Sequence, residues 1–235
     1  MSALKNDVWT RGERVAEYMH EMSYRGYMFM VCLWTCVGIA ASAVAAYYAR
    51  DIDLASFGTW GVIGFSIGVL LVAICGTLIS SASDNPAVSM LGYALVTIPF
   101  GVLLGPIVAS YTAASVLNVF ILTFVIVAVL GTVGALIPQN LAHWGRPLLA
   151  GLVMLIVALF GTTFLAAFGL PVSGLMTMLD WVGLFLFSAL VVYDLNRAAR
   201  LPRTQDNAID SAIAIYLDFI NIFIRLLGIS GQKSD

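Results

Sequence analysis

The chain has 235 residues, of which 61% are hydrophobic and 10% carry a charge. About a quarter of the residues in a soluble domain are charged, so this composition excludes an ordinary soluble protein and predicts an all-α integral membrane protein. The formal net charge is −2, and the 11 Lys and Arg residues are scattered along the chain. There is therefore no basic surface of the kind that binds nucleic acid.

Seven hydrophobic segments approach or exceed the roughly 20 apolar residues that a helix needs to cross a bilayer. They are expected near 27–49, 58–81, 87–110, 115–137, 148–169, 173–195 and 208–229. The breaks between them contain turn residues, for example at 84–86 and 169–171. We predict a single seven-helix transmembrane domain over 27–229, with a cytoplasmic amphipathic tail over 1–26 and a short C-terminal tail over 230–235.

The distribution of Lys and Arg predicts the orientation of the chain. With the N-terminus inside, the inner side holds eight of these residues: Lys5, Arg11, Arg14, Arg25, Arg146, Arg197, Arg200 and Arg203. The outer side holds three: Arg50, Arg225 and Lys233. Because cytoplasmic loops are enriched in positive residues, we predict a cytoplasmic N-terminus and an external C-terminus.

Small residues recur at four-residue spacing in two of the spans. Gly64 and Gly68 form one such pair, and Gly101 and Gly105 form another. In a membrane, faces of this kind let helix backbones approach closely. We therefore expect both pairs to lie at contacts between helices.

The last span carries a polar stripe. Its members recur at three- and four-residue spacing and are Ser211, Ala214, Asp218, Asn221 and Arg225. At 100° per residue, these positions share one face of a helix. A charged group that faces lipid costs several kcal/mol, so this face is predicted to point into the interior of the helix bundle.

Asp180 and Asp194 add two carboxylates in the sixth span. They are fourteen residues apart, which is nearly four helical turns, and so they lie on a common face about 21 Å apart. Depth counting places Asp180 near Arg225 on the antiparallel last helix, where a structural ion pair is one interpretation. The other interpretation is that Asp180 belongs to a polar track through the bundle.

Few basic side chains in the membrane-spanning segments are available to pair with Asp218. No Lys or Arg lies between Arg50 and Arg146, or between Arg146 and Arg197. The Asp218 carboxyl group is therefore expected to share a proton with another carboxylate, to keep a proton of its own, or to bind a cation. Each of these three states makes the group responsive to pH.

Two segments in the C-terminal third resemble the paired signatures of the Bax inhibitor-1 family, also called the transmembrane Bax inhibitor motif family, and especially its bacterial members. They are residues 191–196, which read VVYDLN, and residues 215–223, which read IYLDFINIF. The similarity extends in outline over residues 26–229. The resemblance implies a bundle of six helices around a central seventh, in which Asp194 and Asp218 form a gating pair.

By this resemblance, the protein is expected to be a pH-sensitive calcium (cation) leak channel or exchanger, with Ca²⁺ as the transported ion and no tightly bound cofactor. Asp194 and Asp218 would contact Ca²⁺, a hard cation that prefers carboxylate oxygens. Asp180, Asn221 and Arg225 are the further candidates for the gating and ion-pathway set. The resemblance also favours a bacterial inner membrane as the location.

A second function is consistent with the same resemblance. Some bacterial members of the family bind a membrane-bound AAA protease and regulate its turnover, but those members can lack the acidic pair, so the two aspartates favour transport. An enzyme is not expected, because the sequence has no H-E-x-x-H motif and no phosphate-binding glycine loop. A retinal pump is excluded because the two lysines, Lys5 and Lys233, lie outside the spans.

Overall fold

The structure, a computed structural model, describes residues 22–234 and consists of seven long helices joined by short connections. The helices are α1 (Tyr24–Ala49), α2 (Gly58–Ser81), α3 (Pro86–Ala109), α4 (Ala113–Leu136), α5 (Gly145–Ala167), α6 (Ser173–Ala198) and α7 (Gln205–Ser230). Two short 3₁₀ helices, Leu54–Phe57 and Ala142–Trp144, lie in the connections. The predicted all-α fold is confirmed, while most of the predicted tail over 1–26 lies outside the described residues.

All seven helices are long and apolar enough to span a membrane. Each predicted end lies within three residues of the end that the structure shows. The largest differences are at the start of α1, the start of α5, the end of α6 and the start of α7, where the helix extends beyond the predicted segment. The chain is therefore a multi-pass integral membrane protein.

Short polar side chains cap the starts of four helices. The capping residues are Ser23, Asn85, Thr112 and Thr204. Each side-chain oxygen accepts a hydrogen bond from a backbone N–H in the first turn, which would otherwise have no partner. The caps fix where α1, α3, α4 and α7 begin.

The last helix, α7, is the most deeply buried of the seven. In the membrane-spanning part of α7 67% of the residues are buried, against 39% or less in the other six helices. It contacts α1, α2, α3, α4 and α6. Asp218 and Ser211 are buried, and the other members of the polar stripe are partly buried. The stripe therefore faces protein, as predicted.

Close approach of α1 and α3 depends on glycine. A Cβ atom added at Gly101 or Gly105 would lie 2.5 or 2.7 Å from a backbone oxygen of α1, so the predicted contact is confirmed. A Cβ atom added at Gly64 or Gly68 meets no described atom within 4 Å, so the contact predicted there is wrong. The physical reason is that α2 packs through another face, which carries Val69, Ala73, Gly76 and Ser80.

The alternating helices define two ends of the bundle. The basic end contains the turn at 82–85 and the loop at 199–204, and it carries Arg197, Arg200 and Arg203. The strap end contains the loop at 110–112 and residues 231–234, which follow α7. The basic end is the one that the distribution of Lys and Arg places in the cytoplasm, and this orientation stays a prediction.

Candidate functional site

Asp218 lies near the middle of α7 and is only 3% exposed. Its Oδ2 atom is buried and has no hydrogen-bond partner among the described residues. An ionised carboxylate in such a position is costly unless a compensating group is present. Asp218 therefore requires a proton or a cation.

Asp194 on α6 supplies the group that faces Asp218. The two carboxyl groups lie within hydrogen-bonding reach of each other. Asp194 is partly exposed, whereas Asp218 is buried. We call Asp194 and Asp218 the acidic dyad; the role as a gating pair that the resemblance implies for them stays a prediction.

A large stagger between α6 and α7 makes this contact possible. Asp194 lies four residues before the end of α6, but Asp218 lies thirteen residues after the start of α7. The start of α7 therefore projects past the end of α6. The loop at 199–204 has six residues, contains hydrogen-bonded turns and connects the two helices across this stagger.

No basic side chain neutralises the dyad by direct contact within the part of the chain that the structure describes. The ion pairs there join Arg50 to Asp51 and Arg225 to Asp180. Arg197, one turn from Asp194, is exposed and attracts that carboxylate without an ion pair. Two carboxylates about 4 Å apart repel each other by about 4 kcal/mol at an effective dielectric constant of 20. The dyad therefore favours a state in which it holds one proton.

The projecting part of α7 is held by hydroxyl groups of α1 and α2. Ser80 on α2 is fully buried and donates a hydrogen bond to the Asp210 carboxylate. The hydroxyl groups of Tyr27 and Ser211 lie 3.2 Å apart. Neither Ser80 nor Asp210 was predicted from the sequence, although Asp210 is a further carboxylate in the last span, just over two helical turns before Asp218.

Asn196, two residues after Asp194, joins α6 to the end of α4. It is 1% exposed, and its Nδ2 donates hydrogen bonds of 3.1–3.2 Å to the carbonyl oxygens of Gly134, Ile137 and Gln139. Its Oδ1 accepts from the Leu141 N–H and from Arg200 Nε, and Arg200 also binds carbonyl oxygens of 137–139.

The hydrogen bonds of Asn196 and Arg200, which we call the Asn196–Arg200 clamp, replace a backbone hydrogen bond that is missing at the end of α4. The helical partner of the Gly134 carbonyl would be the N–H of residue 138, which is proline and has none. The amide of Asn196 supplies the missing donor. The clamp fixes the basic end of α6 beside Asp194, and the sequence alone assigned Asn196 no role.

An ion pair lies at the other end of the polar stripe. Arg225 Nη1 donates a hydrogen bond of 3.0 Å to Asp180 Oδ1, and the two side chains are 11% and 18% exposed. Glycines make room for both groups, because a Cβ atom at Gly183 would lie 3.0 Å from Arg225 Nε and one at Gly228 would lie 2.7 Å from Asp180 Oδ2. Of the two interpretations of Asp180, the structure therefore shows the ion pair, and both aspartates of α6 face α7.

Residues 231–234, which we call the C-terminal strap, fold back over the loop at 110–112. The N–H of Thr112 donates to the Gln232 carbonyl at 2.9 Å, and the N–H of Ser234 donates to the Ser110 carbonyl at 3.0 Å. The Gln232 N–H donates to Ser115 Oγ at 2.9 Å. The tail predicted over 230–235 is thus hydrogen-bonded to the bundle through Ser234.

Asn221 lies between the dyad and the ion pair along α7. Its Nδ2 donates a hydrogen bond of 2.8 Å to the Leu217 carbonyl in the same helix. The side chain is partly buried. A role for Asn221 in an ion path remains a prediction.

The dyad is a sparse set of oxygen ligands. Among residues 22–234, no group of three or more His, Cys, Asp and Glu side chains is arranged to hold a metal ion. Ca²⁺ takes six to eight oxygen ligands in proteins, so Asp194 and Asp218 can meet it only with the help of water or backbone oxygens. The assignment of Ca²⁺ to these residues remains a prediction.

Comparison with known proteins places the chain in a family. The family described as inhibitor of apoptosis-promoting Bax1 matches residues 24–235. The inner membrane protein YbhL of Escherichia coli is 28% identical over 221 residues, which cover 88% of this chain and 92% of that protein. An uncharacterized protein of Deinococcus radiodurans is 25% identical over 221 residues, or 89% of this chain and 91% of that protein.

The similarity reaches beyond bacteria. The growth hormone-inducible transmembrane protein of Rattus norvegicus is 27% identical over 233 residues, which cover 89% of this chain and 62% of that protein. The family match includes all seven helices, the acidic dyad and the C-terminal strap. The chain therefore belongs to the Bax inhibitor family of integral membrane proteins.

Proposed function

We propose that this protein is a pH-sensitive cation leak channel or exchanger that conducts Ca²⁺ along the polar face of α7 and is gated by the acidic dyad. The observation that supports the proposal is a buried carboxyl group, Asp218, with a second carboxyl group, Asp194, within hydrogen-bonding reach and with no ion pair to either residue within the described part of the chain. Buried carboxyl groups without a basic partner lower the stability of a membrane protein, so their presence supports a functional role such as gating.

Protonation sets the state of the dyad. With one proton shared, the carboxyl groups form a hydrogen bond that holds α6 against α7, and the path is closed. When the proton leaves, two negative charges repel each other by about 4 kcal/mol at roughly 4 Å, which is close to a thousandfold change in an equilibrium constant. The helices then separate, or a cation enters between the carboxylates. Flux is therefore low at acidic pH and rises as the pH rises.

The same site accounts for conduction of a divalent cation. Two carboxylates attract Ca²⁺ electrostatically, while the small number of protein ligands leaves it largely hydrated. Conduction requires binding that is strong enough for entry and weak enough for release. A complete ligand cage would retain the ion.

The proposed location is a bacterial inner membrane, with the basic end in the cytoplasm. The name of the Escherichia coli relative describes an inner membrane protein. The arginines of the basic end, Arg197, Arg200 and Arg203, follow the bias of cytoplasmic loops toward positive residues. A fluorescent tag on the C-terminus tests this orientation, because it is expected to face away from the cytoplasm.

Flux measurements on purified protein test the proposal. Ca²⁺ entry into proteoliposomes is followed with a trapped indicator across a pH series for the wild type, Asp194→Asn and Asp218→Asn. Asparagine copies the shape of a protonated aspartic acid, so each variant is expected to show low flux without pH dependence. Asp84→Asn, in an exposed turn, is the matched control and should keep the wild-type profile. An unchanged profile in both dyad variants overturns the proposal.

Regulation of a membrane-bound AAA protease remains a prediction of the resemblance, as does the absence of enzymatic activity. Co-purification with the wild type and with the Asp194→Asn/Asp218→Asn double variant separates regulation from transport. If the double variant retains a bound protease and the wild type conducts no ion, the carboxylates serve a purpose other than transport.

A further inference from the structure

The strap end of the bundle is closed by contacts that the dyad does not explain. The C-terminal strap pairs in antiparallel fashion with the loop at 110–112, with Tyr111 opposite Lys233. Backbone hydrogen bonds flank this pair on both sides, from Thr112 to Gln232 and from Ser234 to Ser110. The strap therefore joins the end of α7 to the connection between α3 and α4.

Tyr111 links the strap to the ion pair below it. A Cβ atom at Gly231 would lie 2.6 Å from the Tyr111 ring, so the strap passes directly over the ring. Burial raises the pKa of the Tyr111 hydroxyl group, and the nearby Asp180 carboxylate raises it further. A Cβ atom at Gly228 would lie 2.7 Å from Asp180 Oδ2, so the Asp180–Arg225 pair and the Tyr111 ring meet the end of α7 only three residues apart.

The C-terminal strap can separate from the loop at 110–112 without unfolding any of the seven helices. Its backbone bonds go to a loop and to the hydroxyl group of Ser115 rather than to a sheet. A two-stranded pairing of this length is marginal by itself in water. Gln232 and Lys233 are exposed, so the strap holds few apolar contacts that would resist its opening.

We propose that the C-terminal strap, Tyr111 and the Asp180–Arg225 pair form a second closure, in series with the acidic dyad and at the opposite end of α7. This inference rests on the proposed function. A cation that passes the dyad meets the ion pair, which cancels the charge of Arg225, and then the Tyr111 ring. The ion leaves only when the strap separates from the loop at 110–112.

A reversible cross-link tests the closure. In an antiparallel pair whose flanking residues carry the hydrogen bonds, the Cα atoms are about 4.5 Å apart, which a disulfide can bridge. Tyr111→Cys and Lys233→Cys are combined in a background in which the three native cysteines, Cys32, Cys36 and Cys75, are replaced by alanine. The two single-cysteine variants in the same background are the controls for oxidant effects.

Ca²⁺ flux is measured at the pH of maximal wild-type flux, before and after oxidation and again after reduction, with the cross-linked fraction read from mass spectrometry. The expected result is at least a tenfold loss of flux in the oxidised double variant, recovery on reduction, and no response of the single variants. Equal flux with and without the disulfide overturns the second closure while leaving the dyad intact. Failure of the pair to cross-link also overturns it, because the strap would not lie against Tyr111.

Removal of residues 231–235 provides an independent measurement. Without the strap, flux at alkaline pH is expected to rise severalfold, while the pH of half-maximal flux stays at the wild-type value because the dyad is untouched. An unchanged maximal flux contradicts the closure. Absence of flux at every pH from the cysteine-free background and from the wild type overturns the proposed function, and this inference with it.

Discussion

The Asn196–Arg200 clamp offers a quantitative test of the packing around the site. Asn196→Ala removes an amide that is 1% exposed and bonded to the backbone of another helix and its following loop. The carbonyl oxygens of Ile137 and Gln139 retain Arg200 as a donor. The Gly134 carbonyl and the Leu141 N–H lose the side chain that serves them.

Two backbone groups without that partner cost about 1–2 kcal/mol each, so Asn196→Ala is expected to lower the free energy of unfolding by about 2–4 kcal/mol. Asn221→Ala is the matched control. Its amide bonds the carbonyl of Leu217 within the same helix, and its loss is expected to cost less than about 1 kcal/mol. The difference between the two losses therefore measures how much more an amide that bonds another helix stabilises the protein than an amide that bonds its own helix.

The assay is reversible unfolding in mixed micelles with increasing dodecyl sulfate, followed by circular dichroism. Arg200→Ala should weaken the same clamp, and its effect should not add fully to that of Asn196→Ala because the two side chains share acceptors. Equal losses for Asn196→Ala and Asn221→Ala would refute the assignment of the clamp as the main link between α4 and α6.

Three further variants probe other contacts. Gly134→Ala places a Cβ atom against the carbonyl oxygen of Val192 in α6 and should cost about 1–3 kcal/mol of unfolding free energy. Gly64→Ala meets open space and should be neutral or slightly stabilising in the same assay. Asp180→Asn and Arg225→Met should each lower the free energy of unfolding, because each alone leaves a largely buried partner unpaired. The loss in the double variant should be smaller than the sum of the two single losses, and additive losses in this double-mutant cycle would contradict the pair. Ser80→Ala removes the donor to a carboxylate of α7 and should cost about 1–2 kcal/mol; no measurable change would show that the carboxylate does not depend on it.

The helices, their order and the interior face of α7 could be predicted because each follows from one local property. Length and hydrophobicity define the spans, and the three- and four-residue spacing of the polar stripe defines a face that cannot meet lipid. Depth counting at the strap end, where α6 begins and α7 ends at similar depth, offered the Asp180–Arg225 pair as one of two interpretations of Asp180.

Depth counting failed at the basic end. Counted from the predicted span ends, Asp194 lies near the inner surface and Asp218 near the middle of the membrane. The projection of the start of α7 past the end of α6 reduces this difference, and it has no signature in hydrophobicity. The dyad was therefore accessible only through the family resemblance.

Other contacts could not be predicted because their partners are backbone atoms or surfaces. The amide of Asn196 binds carbonyl oxygens, which every residue has. The C-terminal strap is short and polar, with no periodic pattern. Gly64 has the same spacing to its partner glycine as Gly101, but spacing does not tell which face of a helix another helix covers.

Infrared difference spectroscopy of the carboxyl C=O stretch, recorded between acidic and alkaline pH on the wild type and on Asp218→Asn, is the most direct test of a proton shared by Asp194 and Asp218. The predicted result is a protonated-carboxyl band in the wild type that disappears over the same pH range in which Ca²⁺ flux rises, and that is absent from the difference spectrum of the variant. Flux that rises with pH while the band is unchanged, or a band that persists in Asp218→Asn, would contradict gating by the dyad.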